Sequence, residues 1–275
     1  MNKIKILLQA FIGNLYKIKV WFHLWLNIKP KRSEKVAGNV IVSLTSYGRR
    51  VAKCAPYAVF SMIVQTMRPE KITLWLDKEK WNDGNLPFAL KRMQNWGMVE
   101  VEYCKDMCSF TKLIPALEKY PDKAIITIDD DIYYSKNLII LLFNQHRKLP
   151  ATIIASRLCS GTYNYEGKDY KFPLGTGGIL YPPKCLSNTV FDEKVFMSLC
   201  PSLDDLWFYT MSLLKGTEFC ILSKSLVSYY HVDAFYQRTH SGSKLHDIVK
   251  IENTETLKSL LYHFDILKKQ CESSN

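Results

Sequence analysis

Two hydrophobic periods alternate along this chain, and the change from one to the other marks out its elements. Near the start, Ile4, Leu8, Phe11, Leu15, Ile18, Phe22 and Trp25 recur every three or four positions, with Lys5, Gln9, Lys19, His23 and Asn27 on the other side. That spacing predicts an amphipathic helix. Pro30-Lys31-Arg32-Ser33 reads as a linker. Short β-branched runs then alternate with helical stretches. Val40 to Thr45 predicts a first strand that ends in the polar turn Ser46-Tyr47-Gly48-Arg49-Arg50. A helix follows to Gln65, and Arg68-Pro69 ends it. Ile72 to Leu76 is a second strand ending in Asp77, Phe88 to Trp96 a short helix, and Val99 to Tyr103 a third strand. Thr111 to Tyr120 is helical, with Pro115 placed in a first turn, and Ala124 to Ile128 is a further strand.

The second half reads less evenly. Asn137 to Lys148 is a helix and Thr152 to Ala155 a strand, but residues 157–175 carry no clear period. Gly175 to Tyr181 is a glycine turn entering a short strand, blunted by Pro182-Pro183. A helix opens at Leu203 and runs to about Lys215; strands near Phe219 and Leu226 lead to Tyr229-Tyr230-His231. Leu257, Leu260, Leu261, Phe264 and Leu267 mark a closing amphipathic helix. Strand–helix–strand alternation implies βαβ units, hence an α/β fold with a mostly parallel central sheet flanked by helices. The expected division is a basic N-terminal segment over residues 1–32, one α/β domain over 33–245, and a C-terminal helix over 246–275 that packs on the domain or extends it.

Composition changes this picture in three places. At 275 residues, 47% hydrophobic and 23% charged, the chain has enough apolar surface to fold around a full-sized core, which excludes wholesale disorder. The net charge of +11 is uneven: residues 1–35 hold eight Lys or Arg against one Glu, a net +7, leaving +4 for the other 240. The basic excess belongs to the arm, so no nucleic-acid partner is expected of the body. Eight cysteines are scattered without a CxxC pair or zinc spacing, which fits a reduced, cytoplasmic setting.

Lys17, Lys19 and His23 interrupt the arm, so it lacks the about 20 apolar residues that a bilayer crossing needs. No small-residue cleavage site follows it. Trp21, Phe22, Trp25 and the flanking lysines suit a peripheral position on the inner face of the cell membrane. Packing on the protein's own core, or on a second subunit, would use the same spacing.

The candidate chemistry centres on Asp129-Asp130-Asp131, which follow directly on a fully apolar run. Such a run reads as a buried parallel strand that delivers acids to the carboxyl edge of a sheet, where ligands bind. A solvated turn is the plainer alternative. Adjacent carboxylates repel one another and need a cation or strong hydrogen bonds. Hard oxygen ligands suit Mg²⁺ or Mn²⁺, ions that commonly share a substrate phosphate. Asp204 and Asp205 stand at a helix start, where capping and the dipole favour acids; two neighbouring acids also raise one pKa, which suits a general base.

Taken in order, several pieces resemble a GT-A glycosyltransferase, family 2-like, of the kind that builds bacterial capsule or lipopolysaccharide chains. They are Val42-Ser43-Leu44-Thr45-Ser46-Tyr47, Gln65-Thr66-Met67-Arg68-Pro69, Thr73-Leu74-Trp75-Leu76-Asp77, Thr111-Lys112-Leu113-Ile114-Pro115, Ile128-Asp129-Asp130-Asp131, Thr176-Gly177-Gly178-Ile179-Leu180-Tyr181 and Asp204-Asp205-Leu206-Trp207-Phe208. The resemblance covers about residues 38–235. It implies a nucleotide-sugar donor, with UDP as the expected nucleotide, a Mn²⁺ or Mg²⁺ ion, a saccharide or lipid-linked saccharide acceptor, and an inverting reaction.

The resemblance also distributes roles. Asp131 would bind the metal directly, Asp129 would face the ribose or a metal-bound water and so belongs to both the nucleotide and the metal sets, and Asp130 between them points differently and serves the structure or the cofactor. His231 would complete the metal shell, with a satisfied half-buried histidine as its plain alternative. Thr45 and Tyr47 would line the nucleotide pocket, Tyr47 stacking on the base, and Asp77 would read the base or ribose unless it only closes a turn. Arg50 or Lys112 would contact the diphosphate, and Lys112 can instead pair with the acids. Asp205, ahead of Asp204, would be the general base. Gly177 and Gly178 would let backbone approach the sugar, and Arg238, His240 and Lys244 would form a basic loop. Two other readings use the same acids: another metal-dependent phosphate-handling α/β enzyme, such as a nucleotidyltransferase, and an inactive membrane-associated interaction protein. Against the first, the sequence has neither a Gly-rich P-loop nor an Asp-x-Asp-x-Thr pattern.

Overall fold

In chain order the elements are α1 (Lys3–Trp25), β1 (Val36–Thr45), α2 (Arg50–Lys53), α3 (Ala55–Ile63), β2 (Arg68–Asp77), α4 (Phe88–Asn95), β3 (Glu100–Cys104), a 3₁₀ turn (Cys108–Lys112) and α5 (Ile114–Lys119). They continue with β4 (Ala124–Thr127), β5 (Ile132–Tyr134), α6 (Leu138–Lys148), β6 (Ile153–Ala155), β7 (Tyr163–Tyr165), β8 (Lys168–Tyr170), a 3₁₀ turn (Gly175–Gly177) and β9 (Ile179–Tyr181). A 3₁₀ turn (Asn188–Phe191), α7 (Glu193–Leu199), α8 (Asp204–Lys215), β10 (Phe219–Ile221), β11 (Tyr229–His231) and α9 (Leu245–His263) complete the chain. This computed structural model describes residues 3–159, 161–223, 229–232 and 245–265, with side chains from residue 11 and, in α9, from residue 254. Leu226, Arg238, His240, Lys244 and Leu267 lie outside the described residues.

Seven strands form one sheet in the order β10-β6-β9-β4-β1-β2-β3. β3, β2, β1 and β4 run parallel, as do β10 and β6, while β9 lies antiparallel between β4 and β6. The mostly parallel α/β architecture expected from the alternation is therefore what the chain forms, with one reversed strand. That reversal has no local signal, because a three-residue apolar run carries no direction.

The core follows the two-residue period of the strands. Val40, Val42 and Leu44 of β1, with Ile126 of β4 and Leu74 of β2, face helices α3, α4 and α6. Ile41, Ile125 and Trp75, one position out of phase, face the other side, where α5, α7, α8 and α9 pack. Both sheet faces are covered, which is why these strands read as near-continuous apolar runs rather than as alternation.

Several boundaries differ from the sequence expectation for identifiable reasons. The first helix after β1 breaks at Cys54 because Pro56 restarts it near the N-terminus of α3, and α3 stops at Ile63. Arg68-Pro69 does not end a helix; it opens β2, which is longer than its apolar core. Residues 157–175, without a readable period, contain the β7–β8 hairpin. Its tight turn uses Glu166 and Gly167, both at positive φ, and Tyr163 and Tyr170 bury their rings beneath it.

Both terminal helices lie against this body. Leu257, Leu260 and Leu261 of α9 are buried with α7 and α8. α1 packs on β11, α3 and α4 through Tyr16, Val20 and Leu24. The stripe read from the sequence is thus not the docking face of α1: Phe11, Leu15, Ile18, Phe22 and Trp25 are exposed. The segment read as a linker is held too, since Ser33 Oγ donates to the Thr66 carbonyl at 2.7 Å. Among the described residues no helix is long and apolar enough to cross a membrane.

Candidate active site

A cavity of about 750 Å³ opens beyond the C-terminal ends of β1 and β4. Thr45, Tyr47, Arg50, Lys112, Asp129, Asp130, Asp131, Asp204, Asp205 and His231 all line it. Distant parts of the chain reach one place because parallel strands end on one edge, and the loops that follow them converge there. A smaller cavity of about 400 Å³, beside Glu70, Lys71 and Glu100, carries none of these acids.

Two ion-pair groups organise the site. In the first, Arg50 Nη2 bonds Asp130 Oδ1 and lies 3.0 Å from Asp131 Oδ2. Ser46 Oγ donates to Asp130 Oδ2 at 2.5 Å. Burial raises the Asp130 carboxyl to about 6, against the opposing pull of Arg50 and Ser46. Burial also raises Asp131, again opposed by Arg50. Asp130 is buried, and both of its carboxylate oxygens are engaged, one by Arg50 and one by Ser46. The Arg50 guanidinium lies 5.3 Å from the Tyr47 ring centre, and Tyr47 is 65% exposed at the lip.

The second group is deeper. Lys112 Nζ lies 2.7 Å from Asp204 Oδ2, 3.3 Å from Asp129 Oδ1 and 3.8 Å from Asp205 Oδ1. The lysine is set by the first strand: Ser43 Oγ on β1 donates to the Lys112 carbonyl at 2.6 Å and accepts from Trp75 Nε1 at 2.9 Å. Burial works against the lysine charge, but the surrounding carboxylates outweigh it and hold Lys112 well above an ordinary lysine. Asp205 is pushed up to about 7, first by burial, with Lys112 opposing and Asp204 and Asp129 adding to the rise.

α8 begins without a side-chain cap, since its N-cap is Leu203. Neither acid is the cap that the sequence suggests for one of them. Both sit in the first turn with their carboxylates toward Lys112, where the helix dipole still favours negative charge.

The glycine turn explains itself at this point. The Gly175 N–H donates to Asp205 Oδ2 at 3.0 Å, and a Cβ on Gly175 would fall 2.8 Å from Lys112 Nζ and 2.9 Å from Asp205 Oδ1. Any side chain at this position would have to displace the Lys112–Asp205 pair from its present geometry. Gly177 and Gly178, expected beside a sugar, do not line the cavity; Thr176 does. Ser156 Oγ donates to the Gly177 carbonyl at 2.6 Å and occupies the space a Cβ there would need, and Gly178 has φ +90°, with Leu138 close to where its Cβ would stand.

Asp77 also lies outside the cavity lining: its carboxylate accepts from the Glu79 N–H and pairs with Lys80, as a turn former would. Lys80, Asp106, Cys108 and Ser109, which no sequence pattern singles out, line the cavity instead. Their signal is weak, because they belong to the connections after β2 and β3, including the start of the 3₁₀ turn Cys108–Lys112, with no period of their own. Thr45 keeps its hydroxyl on the Trp75 carbonyl at 3.0 Å.

His231 lines the cavity from β11, where it pairs with Ile132 of β5, next to Asp131. Its Nδ1 is buried and makes no hydrogen bond among the described residues, and burial lowers its pKa against the pull of Asp131. Among the described residues no three His, Cys, Asp or Glu are gathered as a finished coordination shell. The donor chemistry nevertheless fits a hard divalent ion. Carboxylates of Asp129 and Asp131 and the open imidazole nitrogen share one cavity, and its six aspartates outnumber Arg50, Lys80 and Lys112.

No protein-family profile matches this sequence, and no curated protein matches it. Solved structures resemble it in architecture. Among them are a 4-diphosphocytidyl-2C-methyl-D-erythritol synthase, at 10% identity and TM-score 0.43 over 77% of this chain and 99% of that one, and S. aureus TarS in complex with UDP, at 12% and 0.46 over 81% and 70%. The bifunctional IspDF from Campylobacter jejuni matches at 13% and 0.42 over 69% of this chain, which spans half of that protein. At these identities the similarity extends no further than the α/β architecture already described.

Proposed function

We propose that the chain is a metal-dependent glycosyltransferase. It moves a sugar from a nucleoside diphosphate donor, with UDP as the expected nucleotide, to a hydroxyl of a saccharide or lipid-linked saccharide, with inversion. The observation that carries this reading is the excess of carboxylates over cations in one cavity at the carboxyl edge of the sheet. Its volume lies within the range of about 300–1,000 Å³ usual for small-molecule sites.

Asp129, Asp131 and His231 are the residues that would hold Mn²⁺ or Mg²⁺. Bound there, such an ion supplies positive charge to the diphosphate as the glycosidic bond breaks. Arg50, 28% exposed at the lip, is placed to trade carboxylate contacts for phosphate oxygens. Tyr47 offers an exposed ring to the base. Asp205 takes the acceptor hydroxyl proton. Burial has raised its basicity, Gly175 fixes Oδ2, and 21% of its side chain remains open to the cavity. Asp204 stays paired with Lys112 and holds α8 at the site. Capsule or lipopolysaccharide assembly is the setting that such an acceptor suggests.

The test is a panel of nucleotide sugars, screened by thermal shift and then by product analysis with and without Mn²⁺. A donor should raise the melting temperature only with the metal, and turnover should release intact nucleoside diphosphate. Asp131→Ala should abolish both responses while its circular dichroism spectrum stays unchanged. Full activity in that variant, or release of pyrophosphate, would overturn the proposal; pyrophosphate would instead indicate nucleotidyl transfer.

A further inference from the structure

The N-terminal helix has two apolar faces, and the protein uses only one of them. Tyr16, Val20 and Leu24 pack inward. At about 100° per residue, Phe11, Leu15, Ile18, Phe22 and Trp25 fall on the side opposite Val20. Their side chains are 49–70% exposed, with Trp21 beside them at 57%. Leu26 and Ile28 continue the exposed apolar surface past the helix end. Single exposed apolar residues are ordinary, but a continuous stripe with a tryptophan in it and a second beside it is not.

We propose that this stripe lays the protein flat on an anionic lipid bilayer. Charge selects this occupant over a second copy of the chain. Lys3–Trp25 contains no acidic residue, and residues 1–35 contain Glu34 alone against eight Lys or Arg. Lys19 flanks the stripe, and Lys29, Lys31 and Arg32 follow within one short segment. Two such helices packed face to face would bring these cations together with no carboxylate between them. Lipid phosphates complement them, and the rings of Trp21 and Trp25 suit the headgroup boundary. The helix is too interrupted to cross, so it lies in the plane of the surface.

The docked helix carries the candidate site. Tyr16 stacks on Tyr133 of β5 at 4.2 Å and leans on Tyr230 of β11 at 5.3 Å. Gly13 meets the His231 carbonyl so closely that a Cβ there would stand 3.0 Å away. The helix therefore rests on the strand pair that bears Asp131 and His231 at its ends, and a bound membrane would lie one helix diameter from that ribbon.

The experiment uses the full chain, without nucleotide, so its outcome is independent of the proposed transfer reaction. Co-sedimentation is measured with vesicles of phosphatidylcholine alone and with about 30% phosphatidylglycerol. Binding should be about tenfold stronger to the anionic vesicles and should weaken as salt rises, with a blue shift of tryptophan emission. Ile18→Glu with Phe22→Glu should abolish binding and the blue shift at unchanged circular dichroism and melting temperature, since both side chains are outside the core. Lys19→Gln with Lys31→Gln should remove most of the anionic preference. The proposal falls if the wild-type chain binds both vesicles equally weakly, or if the Ile18/Phe22 variant still binds. It also falls if the wild-type chain is a dimer that this variant splits, which would make the partner a second copy.

Discussion

Arg50 and Lys112 stand in the same cavity and neutralise neighbouring acids, yet their surroundings differ. Arg50 meets Asp130 and Asp131 from the lip, with 28% of its side chain in solvent. Lys112 meets Asp129, Asp204 and Asp205 from below, with 8% exposed. A guanidinium at a wet edge can exchange partners at small cost, because water and a ligand phosphate compete for it. An ammonium enclosed by carboxylates cannot leave without stranding them. Lys112 therefore ties the β4 edge to the start of α8, while Arg50 is placed to respond to a ligand.

The contrast is open to direct attack. Lys112→Met should have the largest effect. It leaves buried carboxylates uncompensated and should lower stability by about 3–5 kcal/mol in urea unfolding, with activity below detection. A variant that kept wild-type stability would make the two cations equivalent.

Asp205→Asn should come next, lowering kcat by about 10²–10⁴-fold while donor affinity holds. The same residue sets a pH dependence. Burial raises its carboxyl to about 7, and the base must be ionised to accept a proton. Turnover should therefore fall as pH drops below that value and level off above it, and the Asn variant should lack this limb.

Arg50→Gln should have the smallest effect. Loss of a charge-assisted contact should raise the donor KM by about tenfold. Stability should fall by only about 1–2 kcal/mol, because Asp130 can take up a proton and keep its bond to Ser46. A collapse of the fold in this variant, seen by calorimetry, would make Arg50 rather than Lys112 the anchor of the site.

The acids are legible in the chain's own pattern, and their partners are not. Ala124 to Ile128 is apolar at every position, so the carboxylates after it have to emerge at a strand end. Asp204 and Asp205 announce a helix start, and α8 begins there. Lys112 allows two readings, diphosphate contact or ion pair, and its three close carboxylates favour the ion pair in this structure. Asp77 looks equivalent to the other strand-end acids, but Lys80 in its own turn captures it. The apolar stripe of the arm is plain from its spacing, yet the face that docks is the one carrying Tyr16, Val20 and Leu24.

Local pattern alone determined the alternation of strands and helices as far as β4, the parallel β1–β4 core and the position of the acidic edge. Each of these follows from side-chain periodicity and backbone preference within a few consecutive residues. Tertiary structure decided the reversed direction of β9, which glycine must be bare beside Lys112, which cation answers which carboxylate, and which side of α1 remains in water. Those outcomes depend on contacts between residues far apart in the chain, and packing and desolvation act only once such residues are brought together.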